Sequence, residues 1–455
     1  MNNRLRKNYD KHNDEVFLVQ AIHSAYRECR NQEGITLATN FVMQNKGNQL
    51  VWKILGELYK RVNKLPKAIS AYKKAIFLNP ADSDCHNNLG LLYKMNNQLS
   101  DAEKSYRKAI LKDPMNILAL NNLSNLLRQL GKIKEAEKVC RDAIKIKPEY
   151  NMALMNLAII LEYRDETSEC ELILKRIIKS QDKLLGLQAK THLAIICYLK
   201  NRFVESIKLL EESKEIQNIQ MEALNNERIY HNFLSKILNK PTFDFIKPDT
   251  EYVEKLFVVG DSHTLSSHGL HVNFMGINFL CEASLIKGCK QWDLAKSGPN
   301  QFKNHLEIVL KKIPLNSNVL LSFGEIDCRF DSGIIKNKEK YPRKSIDDII
   351  EKTVNGYIIY ISELNKEFNH NLIFQAVPCP NLQLMYYAEG NYQVLNYVIN
   401  SFNILLKRKV KEIGQHYLDI HSLTNRGDGF SNNKYHVDGY HLSRDAMIKA
   451  WKSNL

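Results

Sequence analysis

The chain has 455 residues, of which 44% are hydrophobic and 25% are charged. This balance is typical of a globular protein with two or three domains, and it excludes a wholly disordered chain, a collagen and a coiled-coil rod. The formal net charge is +14, but the basic residues form no run and no patch interleaved with aromatic side chains. We therefore interpret them as a solvated, lysine-rich surface and expect no nucleic-acid partner.

No segment approaches the roughly 18 consecutive apolar residues that a membrane helix needs, so we expect no membrane span. Residues 1–17 include basic side chains but lack the apolar run of a secretory signal. The nine cysteines are odd in number and include no CxxC pair, which favours reduced thiols over disulfides or a zinc site. Together these features predict a cytoplasmic protein.

In the first half of the chain, small and apolar residues recur with a period of 34 residues, which Pro80, Pro114 and Pro148 mark. Each unit is typical of two amphipathic helices with small residues where they approach closely. One unit cannot bury its apolar face alone, so the units are expected to stack into a curved solenoid. The recurring positions are Trp52, Leu55, Gly56, Tyr59, Ala68, Tyr72 and Ala75, then Leu89, Gly90, Tyr93, Ala102, Tyr106 and Ala109, then Leu123, Ser124, Leu127, Ala136, Cys140 and Ala143.

This pattern resembles the tetratricopeptide repeat. We expect an all-α solenoid over residues 1–240, with clear repeats over about 47–148 and degenerate repeats to about 215. The resemblance implies a protein or peptide partner on the concave face. Asparagines one repeat apart on the first helices fit two roles, gripping a peptide backbone or hydrogen bonding between repeats. These asparagines are Asn87, Asn88, Asn121, Asn122 and Asn156.

The character of the sequence changes at residues 241–255, where two prolines interrupt a stretch without helical periodicity and predict a linker. Over residues 256–455, short apolar runs alternate with helical patterns. This alternation predicts a three-layer, flavodoxin-like α/β domain with a parallel sheet, whose functional residues collect at the carboxyl ends of the strands. The predicted strands cover 256–260, 319–324, 371–377 and 416–420, and the predicted helices cover about 300–312, 345–368, 391–413 and 443–453.

The first predicted strand runs directly into Gly260, Asp261 and Ser262. Gly260 permits a tight turn, so the Ser262 hydroxyl is expected at the carboxyl edge of the sheet, ahead of a predicted helix. The backbone N–H groups at the start of that helix can face a developing negative charge. A serine in this position is a candidate nucleophile.

A second motif, Asp438-Gly439-Tyr440-His441, stands just before the last predicted helix. A serine hydroxyl needs an imidazole to take its proton at neutral pH. The imidazole in turn needs an anion that holds its tautomer and stabilises its cation. Asp438 and His441, three residues apart on one loop, can supply both groups.

With the segment VLLSFGEID at 319–327, these two motifs resemble the SGNH (GDSL-type) hydrolase family over residues 256–455. The resemblance implies that Ser262 is the nucleophile, His441 the general base and Asp438 its orienting carboxylate. It also implies an ester substrate, with O-acetylated carbohydrate the expected class, and leaves both hydrolysis and acyl transfer open. The repeats fused to this domain would then bind a protein partner.

The segment Gly324-Glu325-Ile326-Asp327 departs from the family pattern. Ile326 stands where the family usually has an asparagine that donates to the oxyanion. Arg329 could replace that donor electrostatically, or it could form a local ion pair with Asp327.

For the backbone donors to the oxyanion we favour the N–H groups of Ser262 and Gly298, with Gly288 as the rival of Gly298. The remaining residues expected on the site loops are Asp261, His263, Gly324 and Glu325, and His263 could either pack beneath the loop or touch the substrate.

The sequence contains no HExxH, no histidine-rich tract and no phosphate-binding glycine motif, so we expect neither a metal nor a cofactor. A second hypothesis treats the protein as a non-catalytic adaptor whose degenerate hydrolase domain binds a glycan or a peptide, with surface-polysaccharide assembly as one setting. Ile326 favours this hypothesis. The joint presence of Ser262, Asp438 and His441 opposes it.

Overall fold

The computed structural model describes residues 2–221, 224–239, 254–330, 332–384 and 392–453, with side chains from residue 15 onward. The chain divides into two compact units, Met1–Asn156 and Leu157–Leu455. The predicted linker 241–255 lies outside the described residues except for positions 254 and 255, which begin the first strand. Among the described helices, none combines the length and the apolar character that crossing a membrane requires.

Unit 1 is built from antiparallel helix pairs, as the repeat pattern predicts. The period is visible where the first helix of each pair begins. Asn48, Asp82 and Asn116 each accept a hydrogen bond from the backbone three residues ahead and so begin the first helix of a pair. The helices are α1 (Asn2–Arg27), α2 (Asn31–Gln44), α3 (Gln49–Arg61), α4 (Leu65–Leu78), α5 (Ser83–Met95), α6 (Leu99–Lys112), α7 (Ile117–Gln129), α8 (Ile133–Ile146) and α9 (Asn151–Tyr163), which continues into unit 2.

Within each pair, a glycine on the first helix faces a buried tyrosine on the second. A Cβ added at Gly56 would lie 2.6 Å from the ring of Tyr72, and one at Gly90 would lie 2.7 Å from the ring of Tyr106. The small and large residues of the repeat are therefore complementary in volume, which allows the two helices to approach closely.

The recurring asparagines hydrogen bond between repeats. The Asn122 side-chain amide donates to Asn87 at 2.9 Å, and the Asn156 amide donates to Asn121 at 2.7 Å. Asn88 donates to the Tyr72 hydroxyl at 3.2 Å. Of the two roles that the sequence allows, these contacts support the structural one.

Unit 2 begins with helices and continues into a six-stranded sheet with helices on both faces. Its elements are α10 (Thr167–Ile178), α11 (Lys183–Leu199), α12 (Phe203–Glu212), α13 (Asn225–Leu238), β1 (Glu254–Gly260), α14 (Thr264–Ser267), β2 (His271–Phe274), β3 (Ile277–Leu285), α15 (Gln291–Ala295), α16 (Gln301–Lys312), β4 (Asn318–Ser322), α17 (Ile334–Lys340), α18 (Ile346–Asn365), β5 (Asn371–Gln375), α19 (Tyr392–Glu412), β6 (His416–Leu418), α20 (Ile420–Thr424) and α21 (Arg444–Ser453).

The strand order is β2-β3-β1-β4-β5-β6. The last five strands in this order are parallel, but β2 pairs with β3 in antiparallel orientation. The prediction of a wholly parallel sheet is therefore wrong at this edge, and the sheet is mixed. Met275 (φ 52°) and Gly276 (φ 81°) form the two-residue turn between β2 and β3, a hairpin that the sequence analysis missed.

Alternate residues of the strands face two separate apolar cores. Val259 and Leu321 face the core that α16, α18 and α19 cover. Val258 and Leu320 face the opposite core, which α21 covers and against which Leu199 of α11 also packs. The buried, two-sided strands explain why their sequences are continuous apolar runs.

Candidate active site

The turn after β1 brings Ser262 to the carboxyl edge of the sheet. A Cβ at Gly260 would lie 2.0 Å from the backbone oxygen of Ser322 on β4, so a larger residue does not fit there. The Gly260 carbonyl accepts from the N–H of Ile286 at 2.6 Å, and the Asp261 N–H donates to Ser322 at 3.0 Å. The turn is thus fixed to both neighbouring strands, and the helix that follows, α14, has only four residues.

The structure brings Ser262, His441 and Asp438 into one hydrogen-bonded chain. The Ser262 hydroxyl lies 2.9 Å from Nε2 of His441, and Nδ1 of the same ring lies 2.8 Å from Oδ2 of Asp438. Ser262 and His441 are only 3% and 1% exposed. With Nδ1 donating to the carboxylate, Nε2 is free to accept the serine proton, which is the arrangement that activates a serine nucleophile.

The Asp438 carboxylate is held in its charged form. Oδ1 accepts the backbone N–H groups of Tyr440 at 2.9 Å and His441 at 2.8 Å. Burial alone would raise the pKa of Asp438, but His441 and these donors hold the pKa well below its usual range. The carboxylate can therefore fix the imidazole tautomer across the physiological pH range.

The structure places the two glycines considered as oxyanion donors in different parts of unit 2. Gly298 is exposed in the segment between α15 and α16. Gly288 instead lies three residues after the end of β3, the strand beside β1 whose carboxyl end lies at the same edge as Ser262. Of these two glycines, Gly288, the rival candidate, is therefore the one near the carboxyl edge of the sheet.

Of the two roles considered for Arg329, the structure does not form the ion pair with Asp327. The Arg329 guanidinium binds Glu325, with Nε 2.8 and 2.9 Å from its two carboxylate oxygens. The same guanidinium lies 4.4 Å from the ring centroid of Tyr440, in the loop that carries His441. Arg329 thus connects two loops at the edge of the sheet, and the Glu325 carboxylate balances its positive charge.

Asp327 has a structural role at the start of α15. Its carboxylate accepts the backbone N–H groups of Gln291 at 2.7 Å and Trp292 at 3.0 Å. Burial raises the pKa of Asp327 to about 7, although these two donors oppose the shift. Gly324 turns the chain after β4 with φ 117°, and Ile326 begins the 3-10 turn that follows.

His263 packs beneath the loop that carries Ser262. It is 2% exposed, its Nε2 donates to the Tyr440 carbonyl at 3.1 Å, and its Nδ1 lies 3.3 Å from Asp261. Burial alone would lower the pKa of His263, but Asp261 raises it above the usual value. The same Asp261 oxygen accepts the His263 backbone N–H at 3.0 Å. Of the two expectations for His263, these contacts support packing.

Helices α11 and α13, which the sequence analysis assigned to the solenoid, also reach the site. The ring of Phe233 stacks on the ring of His441, with centroids 4.1 Å apart and planes inclined by 21°. Lys236 donates to the carbonyl of Val437 at 2.9 Å. Aromatic residues at helical spacing are typical of any helix core, so no local signal in the sequence distinguishes Phe233.

A second candidate surface is a groove of about 710 Å³ in unit 1, between α2, α3 and α4. Its lining includes the aromatic residues Trp52, Tyr59 and Phe77. Phe77 is 79% exposed. Lys67 and Lys74 lie on the same groove. The groove thus combines apolar and positively charged contacts.

No metal site accompanies either surface, since no group of three or more His, Cys, Asp or Glu residues in the described ranges is arranged to hold an ion. All nine cysteines are free, and all but Cys29 are buried.

Comparisons with known proteins support the repeats. Family models described as TPR repeat and tetratricopeptide repeat match residues 56–97, 83–114 and 117–147. The prediction of tetratricopeptide repeats is therefore confirmed for this part of unit 1. No curated protein matches the chain.

Several solved structures are similar to part of the chain. The MamA protein is 17% identical, with 35% of this chain and 88% of MamA covered and a TM-score of 0.33. YrrB, a TPR protein with an unusual peptide-binding site, is 19% identical, with coverages of 42% and 97% and a TM-score of 0.34. The first TPR of Spaghetti (RPAP3), bound to an HSP90 peptide, is 23% identical, with coverages of 25% and 89% and a TM-score of 0.24.

Proposed function

We propose that unit 2 is a serine-dependent esterase or O-acyltransferase of the SGNH type. The observation that carries this proposal is the hydrogen-bonded chain from Ser262 through His441 to Asp438 at the carboxyl edge of the sheet. The two motifs that supply these residues lie at the end of β1 and just before α21, in the order that the resemblance to SGNH hydrolases implies.

In the proposed reaction, Ser262 Oγ attacks the ester carbonyl while His441 Nε2 takes the hydroxyl proton. Asp438 stabilises the imidazolium that forms. The tetrahedral intermediate collapses to an acyl-serine, and His441 returns the proton to the departing alkoxide. Water or a sugar hydroxyl then attacks the acyl-serine with His441 again as base, which restores Ser262. The resemblance supports O-acetylated carbohydrate as the substrate class.

Backbone N–H groups of Ser262 and Gly288 are the proposed oxyanion donors. The isoleucine side chain at 326 has no hydrogen to donate, and loss of one oxyanion donor typically costs about 100- to 1000-fold in rate. We therefore expect slow turnover on simple esters.

Hydrolysis of p-nitrophenyl acetate by the full-length protein tests this proposal. We expect Ser262→Ala to lower kcat/KM by about 1000-fold or more, because the nucleophile is lost. Ser267→Ala is the matched control, since Ser267 is also buried in this loop region but its hydroxyl has no hydrogen-bond partner among the described residues. Equal rates for wild type and Ser262→Ala would contradict the proposal.

That negative result would favour the alternative, a non-catalytic adaptor that holds a glycan or a peptide. Two observations support this second candidate, the missing donor at Ile326 and the burial of Ser262, which is only 3% exposed.

For unit 1 we propose binding of a protein or peptide partner, since tetratricopeptide arrays present extended binding surfaces. The lining of the groove between α2 and α4 supports a peptide with both apolar and acidic side chains. Panning a peptide library on the full-length protein and on Lys67→Glu/Lys74→Glu tests this preference. We expect acidic sequences to be enriched by the wild type and lost with the variant.

A further inference from the structure

We propose that helix α13 is part of the hydrolase site and that Phe233 is a positioning residue for His441. The inference rests on the proposed function of Ser262. It assigns a role in that reaction to a helix that the sequence places among the repeats.

The contact between Phe233 and His441 is specific in geometry. The two rings are stacked at 4.1 Å and 21°, and Phe233 is fully buried. Both nitrogens of His441 are engaged, Nε2 with Ser262 and Nδ1 with Asp438. Tilting the imidazole would weaken both hydrogen bonds at once, and the phenyl ring occupies the space that such a tilt needs. Phe233 has no polar atom, so it restrains the ring without competing for its protons.

The same face of α13 is attached to the loop that carries the triad carboxylate. Lys236, one turn beyond Phe233, donates to the carbonyl of Val437 at 2.9 Å. Residues three apart on a helix lie on one face. Phe233 and Lys236 therefore act on neighbouring parts of the segment that holds Asp438 and His441.

Helix α11 makes the corresponding contact with the nucleophile segment. The Tyr198 hydroxyl donates to the Leu265 carbonyl at 2.7 Å, three residues beyond Ser262. Arg444, three residues beyond His441, donates to the Tyr198 hydroxyl at 3.1 Å. Helices α11 and α13 thus contact the segments that carry all three residues of the triad.

Phe233→Leu in the full-length protein tests the inference, with Leu234→Ala as the matched control. Leu234 is buried on the same helix, so its truncation loosens α13, while the ring contact with His441 belongs to Phe233. With p-nitrophenyl acetate, we expect Phe233→Leu to lower kcat by about tenfold to 100-fold with KM within about twofold, because small misplacements of a catalytic group have effects of this size. Leu234→Ala should keep kcat within about twofold of wild type at a comparable or larger loss of melting temperature.

A second variant guards against loss of folding. Lys236 is exposed, so Lys236→Ala should keep the wild-type melting temperature and lower kcat by about threefold through loss of the bond to Val437. The inference is overturned if kcat for Phe233→Leu equals kcat for Leu234→Ala. It is also overturned if kcat for Phe233→Leu exceeds that of wild type, which is expected if Phe233 only shields the site from substrate. Equal rates of p-nitrophenyl acetate hydrolysis by wild type and Ser262→Ala would instead overturn the proposed function. The two failures are therefore distinguishable.

Discussion

The two units of this protein differ in how far apart in sequence their decisive contacts are. In unit 1 the contacts join residues about one repeat apart or less, as between Gly90 and Tyr106 or between Asn122 and Asn87. In unit 2 the site joins Phe233, Ser262 and His441. Local, periodic contacts leave a pattern that the sequence displays directly, whereas a convergent site leaves only separate motifs.

The largest difference between the two units is expected when the same substitution, aspartate to asparagine, is made in each unit and kcat/KM is compared. Asp438→Asn is expected to lower kcat/KM on p-nitrophenyl acetate by about 10,000-fold, because an amide favours the wrong tautomer of His441. Asp82→Asn, at the start of α5 in the repeats, should leave kcat/KM within about twofold. A small effect of Asp438→Asn would show that the triad geometry has no part in catalysis.

Glycine-to-alanine substitutions compare the packing of the two units. Gly260→Ala should destabilise unit 2 by about 3 kcal/mol, because the new methyl group meets the fixed backbone of β4. Gly90→Ala should destabilise unit 1 by only about 1 kcal/mol, because the Tyr106 ring can shift and alanine favours the helix. Thermal unfolding measures both.

Gly186→Ala is the control for these two variants, since its Cβ would meet no atom within 4 Å, and it should be neutral or stabilising. Equal losses in the free energy of unfolding for Gly260→Ala and Gly90→Ala would contradict this prediction. They would show that a contact with the backbone costs no more than a contact with a side chain.

Asp327 should make the stability of unit 2 depend on pH. Burial raises its pKa from 3.8 to about 7, so between these values the folded chain holds a proton that the unfolded chain has lost. Its contribution to stability therefore falls as the pH rises from about 4 to about 7. The melting temperature of wild type relative to Asp327→Asn should be lower at pH 8 than at pH 5. If the difference in melting temperature between wild type and Asp327→Asn is the same at pH 5 and pH 8, the pKa of Asp327 is not raised in the folded chain.

The smallest effect is expected in the repeats. Asn122→Ala removes the hydrogen bond to Asn87 and should destabilise unit 1 by about 1 kcal/mol without changing kcat. Hydrogen exchange over α5 and α7 would locate the loss. A change in kcat of threefold or more would show that this contact also influences the reaction.

Much of the architecture could be predicted, because the responsible signals are local. The repeats follow from their period, and β1, β4 and β5 follow from apolar runs buried on both faces. The outer strand β6 follows from a shorter run, in which only Leu418 is buried. The hairpin of β2 and β3 was missed because Met275 is an unusual residue for a turn that needs positive φ. The choice between Gly298 and Gly288 depends on the same strand, since Gly288 stands out only once β3 is known to end at Leu285.

The remaining differences come from a choice between two nearby carboxylates and from contacts between distant segments. Arg329 pairs with Glu325, four residues earlier, rather than with the nearer Asp327. The carboxylate of Asp327 is already used by the N–H groups of Gln291 and Trp292, which lie 36 and 35 residues earlier. Phe233 meets His441 only through the folding of unit 2. The contacts of Asp327 and Phe233 have no spacing that a sequence motif could reveal, whereas the pair of Glu325 and Arg329 has the i, i+4 spacing of a local ion pair.

The order of the strands also bears on how the protein avoids aggregation. The two outer strands of the sheet are β2, with four residues, and β6, with three. An outer strand exposes unpaired backbone groups that can recruit a strand from another molecule, and short outer strands offer little length for such pairing. Strand β1 lies between β3 and β4, so this apolar strand is paired on both sides by strands of its own sheet. On its outer side β3 pairs with β2 only over Ile277–Leu280.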